Sequence, residues 1–163
     1  MINVASDQKT NASLLPLQLK KILVPIDFSP LSKKALHYAV EFAQQFNARL
    51  TVLKVLDPPP GIVNLQEAAF SDEKLLLTEK NLRALIDGSR SNGVSEAGFT
   101  VRVGIPSHEI VEAARELDVD LIVIGTHGYT GWKHFCIGST AERVVRAAPC
   151  PVFVVREKEH EFF

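Results

Sequence analysis

The stretch from Ile124 to Thr140 holds the residues whose types and spacing could do chemistry. Gly125, Gly128 and Gly131 follow a short apolar run, and Gly138 stands directly before Ser139 and Thr140. Glycine allows backbone conformations that other residues avoid and lets a ligand approach the main chain. A helix opening at Gly138 would present amides with no intrahelical partner, and with the helix dipole these attract an anion. Ser139 and Thr140 add hydroxyls. No carboxylate occurs from Gly125 to Ala141, whereas His127, Lys133 and His134 do. A polyphosphate would meet amides, hydroxyls and no repulsion.

Other chemistries fit less well. No Gly is followed by Lys, and no two glycines stand two apart, so Walker A and G-x-G-x-x-G turns are absent. His127, His134 and Cys136 match no zinc spacing. Cys136 and Cys150 are the two cysteines and form no C-x-x-C pair, which argues for reduced thiols and against a disulfide framework. Cys150, between two prolines, reads as a small buried hydrophobe. Tyr129 and Trp132 read either as surface contacts that anchor a partner or as packing of the loop against the body.

Such a loop needs elements to hold it. Lys21–Ile26 is a short apolar run and predicts a strand. Ser29 and Pro30 fit the cap and first residue of a helix. Apolar residues at Ala35, Leu36, Ala39, Val40, Phe42, Ala43 and Phe46 continue it at helical spacing, with Asn47 as its stop. Arg49–Leu56 predicts a second strand. Asp57–Gly61, with three prolines, is a break, and residues 62–69 give no clear signal. Helices are expected at Ser71–Ser89, Pro106–Leu117 and Gly138–Ala147, the first as a packing element. Strands are expected at Ala97–Val103, Leu121–Ile124 and Pro151–Val155. Strands alternating with helices imply right-handed crossovers, hence an α/β fold with a five-stranded, parallel, doubly wound, Rossmann-like sheet and helices on both faces. Ligands of such sheets bind beyond the carboxyl ends of the strands. That directs attention to Asp27, the end of the second strand and the loop from Gly125. Asp27 has a second reading, as a brace for the turn before the first helix.

The chain has 163 residues with 46% hydrophobic and 23% charged side chains, the composition of one globular domain. Residues 1–19 are expected to be a flexible extension, 20–156 the domain and 157–163 a tail. The net charge of −1 offers no basic field for nucleic acid or an anionic membrane. No apolar run approaches the roughly 20 residues of a membrane span, and no secretory signal is seen. The expectation is a cytoplasmic protein.

The spacing G-x-x-G, nine residues, then G-S at Gly125, Gly128, Gly138 and Ser139 resembles the ATP-binding signature of the universal stress protein family. Lys21 to Ser29 is similar to that family's first strand and turn, Gly104-Ile105-Pro106 to the turn before its third helix, and Ala148 to Val152 to the approach to its last strand. The resemblance implies strand order 3-2-1-4-5 and a homodimer through the last strand. It also implies a bound adenine nucleotide, ATP or a close relative, accompanied by Mg2+. Pro25, Ile26 and Asp27 would then meet the adenosine end and Val55 would line the adenine slot. Ile124, Gly125, Thr126, His127, Gly128, Gly138, Ser139 and Thr140 would hold ribose and phosphates. The chain departs from the pattern at Tyr129, where many members carry a basic residue, and at Ala141, where some carry a hydroxyl.

Three functions compete: a nucleotide-binding regulator in the stress response, a slow Mg-dependent ATPase or phosphotransferase, and a ligand-free dimeric scaffold. The loop disfavours the scaffold. The lack of a placed nucleophile or base near the phosphates favours binding over catalysis.

Overall fold

A computed structural model describes residues 17–58, 72–126 and 138–157. The chain runs β1 (Lys21–Pro25), α1 (Pro30–Phe46), β2 (Arg49–Leu56), α2 (Asp72–Ser91), β3 (Ala97–Val103), α3 (Pro106–Glu116), β4 (Leu121–Gly125), α4 (Ser139–Ala147) and β5 (Val152–Val155). The strands form one sheet in the order β3-β2-β1-β4-β5, and every pairing is parallel. Element type and strand order agree with the sequence reading, with ends shifted by one or two residues.

Alternation along the strands builds two cores. Ile22, Val24, Leu50 and Val52 face one side of the sheet, with Ala35, Ala39 and Ala43 of α1 and Leu82 and Ile86 of α2. Leu23, Leu53, Val55, Ile122 and Ile124 face the other, with Ile110 and Ala114 of α3 and Ala141 and Val144 of α4. Strands covered on both faces explain the nearly unbroken apolar runs.

The caps follow from local chemistry. Ser29 Oγ accepts from the Ser32 amide at 3.2 Å, and Pro30 occupies the first turn of α1, where a missing N–H costs nothing. Asn47 ends the helix in the left-handed region at φ 51°. In α2, Thr78, Leu82, Ile86 and Ser89 are buried while Leu76 and Leu77 are exposed, so one stripe of the helix packs. At the edge of the sheet, the Phe153 ring of β5 packs on α1, edge-on to Phe42 with centroids 5.3 Å apart and tilted against Tyr38 at 5.6 Å. Cys150 is half-buried rather than buried, because it precedes β5 at the rim of the second core.

Candidate functional site

The carboxyl edge of the sheet gathers the turn after β1, the end of β2, the end of β4 and the start of α4. The first of these is a self-braced turn. The Ser29 amide donates to Asp27 Oδ1 at 3.0 Å, and the Asp27 amide donates to Ser32 Oγ at 3.4 Å. The Asp27 bond spans Phe28, whose φ of 68° lies in a region that bulky residues avoid. Asp27 therefore does brace the turn, and its carboxylate is half-exposed at the edge. Pro25 ends β1 half-buried beside it.

Ile26 continues the ladder by one rung, its amide donating to the Leu53 carbonyl at 2.8 Å. Its side chain lies in the first core, and those of Val55 and Ile124 lie in the second, with Val55 only 7% exposed. At these three positions the main chain, not the side chain, is the part that can face a ligand.

Gly125 has a packing reason to be glycine. A Cβ there would stand 3.0 Å from Leu31 Cγ and 3.4 Å from the Leu31 main chain, so the first turn of α1 lies directly against the end of β4. Thr126 is buried, and its amide donates to the Val155 carbonyl at 2.9 Å. The Gly138 amide donates to the Thr126 carbonyl at 2.7 Å. That bond draws the two ends of the glycine-rich loop together and sets the start of α4 at the edge of the sheet. Gly138 caps α4 without a side chain to satisfy the first amides. Ser139 is exposed there and Thr140 half-exposed. Ala141, the position that departs from the family pattern, is 2% exposed in the second core, where a hydroxyl would need a buried partner. His127 and Gly128 lie outside the described residues, as do Tyr129, Trp132, Lys133, His134 and Cys136. Among the described residues, no group of three His, Cys, Asp or Glu side chains could hold a metal ion.

Sequence reasoning missed Lys54. Its ammonium donates to the Val55 carbonyl at 3.0 Å and stands 5.9 Å from the centroid of the Phe28 ring. Burial pushes its pKa below the ordinary lysine value; the negative charges of Asp27 and Asp57 oppose that shift, and Lys74 adds to it. The available signal was a lone charge inside the apolar run R-L-T-V-L-K-V-L, two residues after Val52 and so on the same face of the strand.

Closed loop ends, an uncapped helix start and a braced acidic turn at one edge of a 3-2-1-4-5 sheet agree with the sequence resemblance. The sequence model of the Universal stress protein family matches residues 18–156. The chain belongs to that family. A universal stress protein of Methanocaldococcus jannaschii is 36% identical over 146 residues, covering 87% of this chain and 85% of that protein. The solved structure of the universal stress protein UspA from Lactobacillus plantarum superposes with a TM-score of 0.77 at 30% identity, over 86% of this chain and 99% of that one. The universal stress protein from Archaeoglobus fulgidus in complex with dAMP shares the fold, with a TM-score of 0.65 at 24% identity over 85% and 99% of the two chains. No helix among the described residues of this universal stress protein is long and apolar enough to cross a membrane.

Proposed function

We propose that this universal stress protein binds ATP, or another adenine nucleotide, at the carboxyl edge of its sheet, and that occupancy serves a regulatory role in the stress response. The observation that carries the reading is the Gly138–Thr126 hydrogen bond, which brings an uncapped helix start to the edge where Asp27 lies. The phosphates would meet the amides of α4 with Ser139 and Thr140, while Pro25, Ile26, Asp27 and the Val55 main chain would take the adenosine end. His127 and Gly128 would complete the cradle. Membership of the family supports this assignment.

A Mg2+ ion would arrive with the nucleotide and be held chiefly by its phosphates, with the Ser139 and Thr140 hydroxyls as oxygens that could contact it. Hydrolysis, if it accompanies binding, is slow: the carboxylate in the first turn of α4, Glu142, is engaged by Arg146. The domain is taken as residues 20–156, cytoplasmic, flanked by an extension and a tail.

The protein would act as a homodimer joined through β5. That strand is at the edge of the sheet and, among the described residues, pairs with β4 alone, the arrangement that invites pairing with a second copy. Replacing Val154 with Lys would shift the dimer to monomer in light scattering. A wild-type protein that is monomeric at high micromolar concentration would remove the dimer.

Mass spectrometry of ligand released from the purified protein tests the nucleotide reading, together with calorimetry for protein purified without ligand. An adenine nucleotide near one per chain, or ATP binding in the micromolar range, is expected. Absence of both would sink the assignment.

A further inference from the structure

β1 and β2 are paired as far as Pro25 and Leu53, and the Ile26–Leu53 hydrogen bond is the last rung, whereas β2 stays paired with β3 as far as Leu56 and Val103. In a parallel ladder, alternate residues turn their main-chain groups toward the same neighbour. The Leu53 carbonyl faces β1, so the Val55 carbonyl faces the same way, past the point where β1 has turned off into Asp27. That is the side proposed for the adenosine end of the nucleotide. A carbonyl alone at a strand end is an acceptor only, and of the two common purine types it favours the one with a 6-amino group. At Val55 the acceptor is shared. The Lys54 ammonium donates to it at 3.0 Å and stands 5.9 Å from the centroid of the Phe28 ring, in the turn where β1 leaves the sheet. An ammonium has three N–H donors, and the Val55 bond uses one. A group seated against the Val55 carbonyl oxygen therefore lies within reach of a cationic donor as well as of an acceptor.

We propose that Lys54 sets the base preference of the nucleotide site: its ammonium lets the end of β2 accept a 6-oxopurine, such as hypoxanthine or guanine, as well as adenine. The proposal rests on the nucleotide reading above and concerns the base end alone; the phosphates stay with α4. A 6-oxo group accepts a charge-assisted hydrogen bond from the Lys54 ammonium, and a 6-amino group donates to the second lone pair of the Val55 carbonyl. Without Lys54 a 6-oxo group would face the carbonyl acceptor to acceptor and be rejected. A lysine that merely held the end of β2 in place would matter equally to both bases.

Calorimetry with ATP and inosine triphosphate separates these. The two probes share ribose and phosphates and differ at the purine 6-position and the ring nitrogen beside it. Wild type is expected to bind them within about tenfold of each other, since each base finds one hydrogen-bond partner. In Lys54→Met, affinity for inosine triphosphate should fall by about tenfold or more and that for ATP by less than about threefold, the size of a hydrogen bond to a charged group. Lys54→Arg keeps a cationic donor and should retain more of the inosine triphosphate affinity than Lys54→Met does. A wild-type preference for ATP beyond about a hundredfold, or equal losses for the two probes in Lys54→Met, would overturn the proposal while leaving the nucleotide reading intact. A wild-type protein that binds neither probe would overturn both. Circular dichroism identifies any variant that misfolds, and the wild-type ratio and the Arg variant then carry the comparison.

Discussion

The two ends of the sheet use the same residue types in opposite ways. At the amino end, Asp120 precedes β4, and one of its oxygens, Oδ2, accepts from the amides of both Lys20 and Lys21 at 2.8 Å. The Asp120 amide returns a bond to the Lys21 carbonyl, and the Lys21 ammonium donates to the Leu117 carbonyl at 3.0 Å. Arg49 pairs with Glu96 where β2 and β3 begin. Acid and base there clasp neighbouring strands together. At the carboxyl end, Asp27 bonds within its own turn, and Lys54 reaches a carbonyl of its own strand. These two bonds lie within single segments, and the Lys54 ammonium also stands 5.9 Å from the centroid of the Phe28 ring in the β1–α1 turn. The amino-end bonds tie neighbouring strands, whereas the Asp27–Ser29 and Lys54–Val55 bonds are local.

The sharpest way to break this contrast is at Gly125. Gly125→Val would bring its Cβ to 3.0 Å from Leu31 Cγ, with the Leu31 main chain at 3.4 Å. It should destabilise the protein by about 2 kcal/mol, because the packed Leu31 side chain must shift to admit a branched one. Urea denaturation reads the loss; stability within about 1 kcal/mol of wild type would refute the packing role.

Asp120→Ala removes the acceptor of two main-chain amides. A loss of about 2 kcal/mol is expected from the charge-assisted bonds. ATP affinity should be unchanged in calorimetry, since the proposed site lies at the carboxyl end. A large fall in affinity with intact folding would erase the distinction between the two ends.

Gly138→Val tests the other end. Gly138 has φ −60° and ψ 150°, which any residue adopts, but valine is a poorer N-cap than glycine, so the fold should lose about 1 kcal/mol. ATP affinity should nevertheless fall strongly, because the side chain would stand over the helix start. Undiminished affinity would remove the phosphate cradle from α4.

Two pH effects are smaller. The Lys54 pKa is lowered in the folded state, so the unfolded chain binds more protons between that value and the ordinary lysine value. Stability should rise with pH across this alkaline window, and the rise should vanish in Lys54→Met. Glu116 shows the opposite case. The hydrogen bond from Arg102, and then its charge, hold the Glu116 carboxyl below the usual carboxylate range. Its contribution is present above the ordinary value and is lost as pH falls through the lowered one. Glu116 is fully exposed, so Glu116→Gln should flatten the acid limb of a thermal-melt series only slightly.

Sequence by itself determined the parts that depend on near neighbours. The Ser29–Pro30 cap, the Asn47 stop and the apolar stripe of α1 are written within a few residues of where they act, and the alternation of strand and helix restricts the sheet to a parallel, doubly wound form. Cys150 was misjudged because its burial depends on how α4 and the sheet meet. Tertiary structure alone decided what joins residues far apart in the chain. Nothing local marks Asp120 as the acceptor for Lys20 and Lys21, Gly125 as the seat of Leu31, or Ala141 as a core position. Lys54 looked like an interruption in a strand. Its role appears when β1 turns away at Asp27 and leaves the Val55 carbonyl without a strand to pair with, because a main-chain acceptor at a sheet's end is satisfied by whichever donor the fold brings there.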